Sequence, residues 1–350
     1  MCAPCDARRP WASEFRGKGV NILLSRLYVL LAATGVALAF PSQAADLLTL
    51  HGAVQFNDEH PYNKALLKFE ELVKKYYGKP IIFVLHRNSE LGLEKDYVTY
   101  MSQGVSVDYG IASPSHMSTF SPAAPFLDMP FLFRDYDHWN KVLATDVFKP
   151  IVDEVAKKAD VMLVGFAGGG VRNLIANKPV RNIAELKGLP MRVMGAPIQT
   201  KMFGAIGAAP TVIAYSETYN AIQSGVIAAL DNEALGMIQM KFYEVAPQVS
   251  LTQHSFTIRP ICFSGKTFKR LPPDLQAAIV KAGPEAGAYG RKIESAENNA
   301  KLDLLAKEGK IKLHVFADRA KLLELAAPVK AKYAADIGAQ AILAKIDSIK

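Results

Sequence analysis

The chain has 350 residues, of which half are apolar, and a formal net charge of +8 at pH 7. This is enough apolar sequence for one large domain or two medium ones with buried cores. The Lys and Arg residues are scattered rather than interleaved with aromatic residues, which indicates a solvated surface with mild attraction for anions and argues against a nucleic-acid footprint.

Residues 1–44 have the layout of an export signal. Arg26 precedes the apolar run Leu27–Phe40, and Ser42–Gln43–Ala44 places small residues where a signal peptidase reads. Fourteen residues are too few to span a bilayer comfortably, so the pattern predicts a cleaved signal and a periplasmic protein, with an uncleaved anchor as the alternative. The region before the apolar run is unusually long, and we hypothesise that translation starts near Val20.

The first half of the remaining chain alternates strands and helices. A helix with Leu66, Phe69, Val73 and Tyr76 on one face lies between the first two strands, and further helices are predicted from Leu93 to Ser102 and over Asp135–Lys157. This alternation predicts a doubly wound, largely parallel sheet. The predicted strands are Leu47–Val54, Ile81–Leu85, Val107–Ala112 and Val161–Phe166.

Gly168–Gly170 follows the fourth strand and predicts a crossing to a second domain, because glycine runs allow the backbone conformations that a hinge needs. The run does not form a dinucleotide-binding fingerprint, since Asn173 stands where the third glycine belongs. The sequence also lacks the G-x-S-x-G nucleophile elbow that would accompany an oxyanion hole.

Three short strands alternate with two helices between Lys187 and Glu233. The strands Pro190–Met194, Ala208–Ala214 and Val226–Leu230 each lead to polar or aromatic residues, among them Tyr215, Asp231 and Asn232, and Ser216 is a predicted N-cap. Ligands of open α/β sheets bind beyond strand ends of this kind. The segment is therefore the main candidate for a binding site.

Arg192 lies inside the first of these strands. A buried arginine needs an anionic partner, because an unpaired buried charge costs several kcal/mol. The residues alone leave two partners open, an internal carboxylate or a bound ligand.

The C-terminal part returns to strands and then ends in helices. The predicted elements are a helix over Ala234–Tyr243, strands Val249–Ile258 and Ile261–Ser264, a long helix over Pro272–Glu308 that Gly283–Pro284 should kink, a strand Ile311–Phe316, and a helix from its cap Asp318 to Tyr333. Cys262 is the one cysteine beyond the export signal, so the fold is predicted to form without an intramolecular disulfide.

The sequence contains no HExxH motif and no EF-hand loop, and its seven histidines are scattered. These observations predict no metal site, no cofactor and no catalytic residue. A catalytic triad assembled from distant segments would leave no local pattern, so a secreted hydrolase stays an alternative, as does a receptor that reports its ligand to a sensor kinase.

Several motifs in fixed order carry a family resemblance. They are Leu186–Leu189, Met191–Val193, Gly207–Thr211, Ser216–Tyr219, Ala221–Gly225 and Asp231–Asn232, and an upstream match of Gly170, Arg172, Asn177, Lys178 and Pro179. Over residues 46–340 the chain resembles the substrate-binding subunits of TRAP (tripartite ATP-independent periplasmic) transporters, in the dicarboxylate-binding P-subunit family. It departs from the family pattern at Ala228–Ala229, where the family has Asp-Gly.

The resemblance implies a two-lobed periplasmic-binding-protein fold of the Venus flytrap type, with a parallel-rich sheet in each lobe, hinge strands and a long helix that spans both lobes. It places residues 45–169 and 258–297 in the first domain and residues 170–257 and 298–350 in the second. It also implies a monomeric binding protein that closes on an organic-acid anion and passes it to small and large membrane subunits for uptake driven by an ion gradient.

The resemblance makes Arg192 the residue that binds the ligand carboxylate, with Arg172 as a second contributor. Asn232 can offer a donor and an acceptor together, and Tyr215 a flat apolar wall with a hydroxyl. The loops of the first domain are expected to set ligand choice near Gln55, Glu94 and Ser113. Whether the ligand is a monocarboxylate or a dicarboxylate stays open.

Overall fold

The computed structural model describes residues 47–350. The predicted export signal and the hypothesis about Val20 fall outside the described residues. Within residues 47–350, no helix is both long and apolar enough to cross a bilayer.

One mixed sheet of nine strands organises the described part of the chain. The strand order is β2-β1-β3-β8-β4-β7-β5-β6, with β9 paired to β8. Pairing is parallel among β1, β2 and β3 and among β5, β6 and β7, whereas β3, β4 and β7 pair antiparallel with their central neighbours. The strands are β1 (Thr49–Ala53), β2 (Ile82–His86), β3 (Tyr109–Ile111), β4 (Val161–Ala176), β5 (Pro190–Val193), β6 (Ala209–Val212), β7 (Ala229–Asn232), β8 (Gln248–Ser264) and β9 (Lys312–Val315).

Helices connect these strands. The helices are α1 (Pro61–Tyr77), α2 (Glu94–Gln103), α3 (Tyr136–Leu143), α4 (Lys149–Ala159), α5 (Ile183–Leu186), α6 (Pro197–Ala205), α7 (Thr218–Gln223), α8 (Ala234–Gln239), α9 (Gly265–Arg270), α10 (Pro273–Lys307), α11 (Arg319–Asp336) and α12 (Gln340–Ser348). Short 3-10 helices lie at Pro114–Met117, Ala124–Phe126, Tyr215–Glu217 and Phe242–Glu244. The predicted alternation of strands and helices is confirmed.

The two longest strands, β4 and β8, pair antiparallel through the middle of the sheet. The predicted strand Val161–Phe166 is too short, because β4 continues through Gly168–Gly170 to Ala176. Gly168 and Gly169 have φ of +109° and +118°, which other residues rarely adopt, and the register with β8 shifts at this point. Thr257 Oγ accepts hydrogen bonds from the amides of Gly169 and Gly170 at 2.9 and 2.8 Å. The glycines therefore form a bulge that bends a continuous strand.

Helix α10 has 35 residues and contributes to two separate apolar clusters. Leu275 and Ile279 pack with β1 and β3, whereas Leu302 and Leu305 pack with β7. The helix lies against β4 so closely that a Cβ on Gly283 would be 2.0 Å from the carbonyl oxygen of Val164. The predicted long helix is confirmed, and it joins the two ends of the sheet.

Three local predictions differ from the structure. The single helix expected over Asp135–Lys157 is two helices, since Pro150 lies in the first turn of α4, where proline is tolerated. Ser216 lies within a 3-10 helix and does not cap α7. Asp318 is at the N-cap position of α11, but its carboxylate makes no capping hydrogen bond and instead accepts one from the amide of Ile183 at 3.0 Å.

Glu294 of α10 is a fully buried carboxyl group beside the glycine bulge. Its Oε1 accepts hydrogen bonds from Tyr62 Oη and Thr257 Oγ, both at 3.3 Å, while Oε2 has no partner among residues 47–350. Burial, reinforced by the negative charge of Glu233, raises the pKa of Glu294 to about 8, although Arg259 opposes this shift. Folding therefore favours the protonated form at neutral pH.

This shift predicts how stability depends on pH. Between about pH 4.5 and 8 the Glu294 carboxyl group is ionised in the unfolded chain and protonated in the folded chain. The contribution of Glu294 to the free energy of unfolding should thus fall as pH rises, by at most about 1.4 kcal/mol per pH unit. We expect Glu294→Gln to flatten the pH profile of urea unfolding between pH 5 and 8. Glu297→Gln is the control and should keep the pH dependence of wild type. The same pH dependence in Glu294→Gln as in wild type would contradict the raised pKa of Glu294.

Candidate functional site

A polar cleft lies where the central strands meet the loops that follow β1 and β3. Its own cavity volume is about 20 Å³. It adjoins a larger recess of about 300 Å³ that shares Gln55, His116, Arg192 and Tyr215 with it. The cleft residues come from eight separate segments, which explains why no single sequence motif describes them. They are Gln55, Phe56, Glu94, His116, Arg172, Arg192, Met194, Tyr215, Asn232, Glu233 and Arg259.

Arg192 of β5 is 2% exposed and has no carboxylate partner among residues 47–350. Its Nε donates to the carbonyl oxygen of Ile213 at 3.0 Å, and its guanidinium lies 5.3 Å from the ring centroid of Tyr215. Burial lowers the pKa of Arg192, although the charge of Asp231 opposes this. The two terminal nitrogens donate to no group within the described residues, so they are available to an anion in the cleft.

Arg172 of β4 is also buried, but its donors are largely occupied. Nε donates to Asp231 Oδ2 at 2.6 Å, and Nη1 donates to Glu233 Oε2 at 2.6 Å and to Asn232 Oδ1 at 3.2 Å. Nη2 donates to the backbone carbonyl of Asp231 at 2.6 Å. A guanidinium has five N–H groups, so at most one remains for a ligand.

Arg172 forms buried ion pairs with Asp231 and Glu233 that stabilise its charged form. Burial alone would raise the pKa of Asp231, but Arg172 and His254 together outweigh burial through charge and hydrogen bonding and hold that pKa far below its usual range. Burial lowers the pKa of Arg172, and Asp231 and Glu233 reverse that effect and raise it. Arg172 is therefore a buried arginine whose main partners are the internal carboxylates of Asp231 and Glu233.

Tyr215 and Asn232 form one wall of the cleft. Asn232 Nδ2 donates to Tyr215 Oη at 2.7 Å, while its Oδ1 accepts from Arg172 and from the amide of Glu233. These bonds hold the tyrosine ring against the guanidinium of Arg192. Both side chains thus line the cleft, with Asn232 positioning Tyr215.

Gln55 and Glu94 line another part of the cleft, and Ser113 does not. Ser113 is fully buried, its Oγ donates to the carboxylate of Asp128, and its amide donates to Glu94 Oε2 at 2.7 Å. Ser113 therefore lies behind Glu94 and positions it. Gln55 Oε1 accepts from the amide of Glu94 at 3.4 Å.

Arg259, Glu233 and His116 are cleft residues that the sequence pattern does not predict. Arg259 is an arginine within the long strand β8, so the argument used for Arg192 was available for it. It lies between two separately predicted strands, so the sequence pattern predicts a connection at its position. Glu233 and His116 carry no local pattern that separates them from ordinary surface residues.

The hydrolase alternative has one structural counterpart. Thr252 Oγ lies 2.8 Å from His254 Nδ1, and His254 Nε2 lies 3.3 Å from Asp231 Oδ2. Thr252 is 3% exposed, does not line the cleft, and its hydroxyl accepts a hydrogen bond from the amide of Leu174. A nucleophile must reach its substrate, so this arrangement supports the strand pairing and does not favour a hydrolase. Within the described residues no group of three or more His, Cys, Asp or Glu side chains could hold a metal ion.

Comparison with known proteins identifies close relatives. A solute-binding protein of Sulfitobacter sp. strain NAS-14.1 is 52% identical over 311 residues, which cover 89% of this chain and 94% of that protein. The C4-dicarboxylate-binding periplasmic protein of Rhodobacter capsulatus is 27% identical, again over 89% and 94% of the two chains.

Solved structures similar to this chain are also those of solute-binding proteins. The crystal structure of a TRAP periplasmic solute-binding protein from Sulfitobacter sp. with bound alpha-D-taluronate has a TM-score of 0.85 and 53% identity, and covers 86% of this chain and 97% of that one. A TRAP periplasmic solute-binding protein from Roseobacter denitrificans with bound beta-D-glucuronate has a TM-score of 0.80 and 25% identity, over 86% of this chain and all of that one.

The two-lobed α/β fold predicted from the sequence is confirmed by these structures. The model of the bacterial extracellular solute-binding protein family 7 matches residues 52–336. Proteins of this family bind solutes and are not enzymes, so the binding-protein prediction is confirmed and the hydrolase alternative is not favoured. The chain belongs to family 7 of the bacterial extracellular solute-binding proteins, whose members bind small carboxylates in the periplasm and work with the membrane subunits of TRAP transporters.

Proposed function

We propose that this protein binds a uronate, a sugar acid with one carboxylate, and that Arg192 holds that carboxylate. The observation that carries the proposal is the buried guanidinium of Arg192, which faces the cleft without a carboxylate partner among residues 47–350. A guanidinium presents paired donors that fit the two oxygens of a carboxylate. The relative from Sulfitobacter with bound alpha-D-taluronate supports the same ligand class.

The rest of the cleft suits a polyhydroxylated ligand. Gln55, Glu94, His116 and Asn232 supply polar atoms on several sides, and Tyr215 supplies a flat aromatic face. Each hydrogen bond to a charged group contributes about 1.5–3 kcal/mol, so two to three of them support micromolar or tighter binding.

We also propose where the two lobes meet along the sequence and that the chain carries a cleavable export signal. Residues 45–169 with 258–297 form one lobe, and residues 170–257 with 298–350 form the other, with β4, β8 and α10 running between them. The bulge at Gly168–Gly170 supports a bend at this boundary, since its backbone conformation needs glycine. Residues 1–44 act as a cleavable export signal, and the mature protein works as a monomer.

Isothermal titration calorimetry on the purified protein tests the ligand class. We expect at least one of D-glucuronate, D-galacturonate and D-taluronate to bind with a dissociation constant of about 1 μM or less, a free energy of about −8 kcal/mol. D-Glucose, which lacks the carboxylate, should give no detectable heat. Tight binding of succinate together with no response to any uronate would contradict the proposal.

A further inference from the structure

The cleft contains a second charged pair, formed by Glu94 and Arg259. Glu94 is the first residue of α2, and Arg259 lies in β8; they are 3% and 6% exposed. Arg259 Nε lies 3.9 Å from Glu94 Oε1, which is too long for a hydrogen bond. Both residues line the cleft, so the pair faces the volume that a ligand would fill.

This pair has unused hydrogen-bonding capacity. Arg259 Nε is buried and donates to no acceptor among residues 47–350. Glu94 Oε2 accepts from the amide of Ser113, whereas Oε1 accepts no hydrogen bond within the described residues. A buried, unsatisfied donor is costly, and the cost is removed when a ligand supplies the missing partner.

A hydroxyl group fits this arrangement and a carboxylate does not. A hydroxyl can accept from Arg259 and donate to Glu94 at the same time. A carboxylate can only accept, and it would lie beside the negative charge of Glu94 at reduced dielectric. His116 does not offset that charge, because burial lowers the pKa of His116 to about 4 and leaves its ring neutral at pH 7.

We infer that Glu94 and Arg259 form a hydroxyl-binding subsite that excludes a second carboxylate, so that the protein takes uronates and rejects aldarates, the sugar acids with a carboxylate at both ends. The inference rests on the proposed function, because it assumes that the first carboxylate lies on Arg192. It makes Glu94 a specificity-determining residue and assigns Arg259 a ligand contact.

The test compares D-glucuronate with D-glucarate by calorimetry on the wild-type protein and on Glu94→Gln. Glutamine keeps an acceptor for the amide of Ser113 and removes the charge. We expect wild type to bind D-glucuronate at least 100-fold more tightly than D-glucarate. In Glu94→Gln, the ratio of the two dissociation constants should be at least tenfold smaller than in wild type. Glu90→Gln is the matched control, because Glu90 is an exposed carboxylate just before α2 that does not line the cleft, and its ratio should equal that of wild type.

Two results would overturn the inference. Wild type that binds D-glucarate as tightly as D-glucuronate overturns it without any variant, so the test does not depend on the folding of Glu94→Gln. A ratio that is the same in Glu94→Gln and wild type overturns it as well. In both cases D-glucuronate still binds and the proposed function stands, whereas loss of binding to all uronates would remove the proposed function itself.

Discussion

Arg192→Ala is expected to weaken uronate binding by about 100-fold or more and to leave the melting temperature of the unliganded protein unchanged. The loss corresponds to two hydrogen bonds to a charged group, each about 1.5–3 kcal/mol. Stability should be retained because no carboxylate within residues 47–350 forms an ion pair with Arg192. Its one protein hydrogen bond, to the carbonyl oxygen of Ile213, can be replaced by water entering from the cleft.

Calorimetry and thermal unfolding on the same samples measure both quantities. Arg192→Lys should show an intermediate loss of affinity, since an ammonium keeps the charge but cannot reproduce two parallel bonds to a carboxylate. Arg181→Ala is the control, because Arg181 is an exposed arginine that does not line the cleft. A large drop in unliganded stability with unchanged affinity would show that Arg192 serves an internal ion pair instead.

Arg172→Ala, unlike Arg192→Ala, should chiefly lower stability, with a loss of about 3–5 kcal/mol in the free energy of unfolding. The substitution leaves the buried carboxylates of Asp231 and Glu233 without the cation that both now contact at 2.6 Å. Removing one partner of a buried ion pair is costly in this way because the remaining charge stays desolvated. The pairing also joins β4 to β7, so part of the sheet should loosen with it.

Urea unfolding of unliganded Arg172→Ala measures this effect, with Arg181→Ala as the control once more. We expect the double variant Arg172→Ala with Asp231→Asn to recover part of the lost stability, because it removes one of the stranded charges. Unchanged stability combined with weaker uronate binding would instead make Arg172 a ligand contact, the role that the family resemblance implied.

The order of the elements and the main site segment could be predicted from the sequence. Arg192, Tyr215 and Asn232 lie on the segment where three short strands each lead to a polar or aromatic side chain, and all three line the cleft. Gln55 and Glu94 also line it. This placement reflects a general property of α/β sheets, in which the ends of neighbouring strands bring distant side chains to one edge.

The pairing of charges could not be predicted. Asp231 and Glu233 were visible in the sequence, but their contact with Arg172 depends on the antiparallel register that sets Asn173 opposite Asn232. A one-residue change in such a register would turn each side chain to the opposite face of the sheet. Arg259 is not predicted as a site residue for a related reason, because the sequence pattern predicts two strands that end on either side of Arg259–Pro260, whereas β8 runs through both residues.

A crystal structure of the protein with bound D-glucuronate tests the central claim most directly. The account predicts that the ligand carboxylate lies on the terminal nitrogens of Arg192, with both oxygens within hydrogen-bonding distance, and that Arg172 keeps its contacts to Asp231 and Glu233. A ligand carboxylate held by Arg259 or Arg172, with Arg192 making no contact to it, would contradict the account.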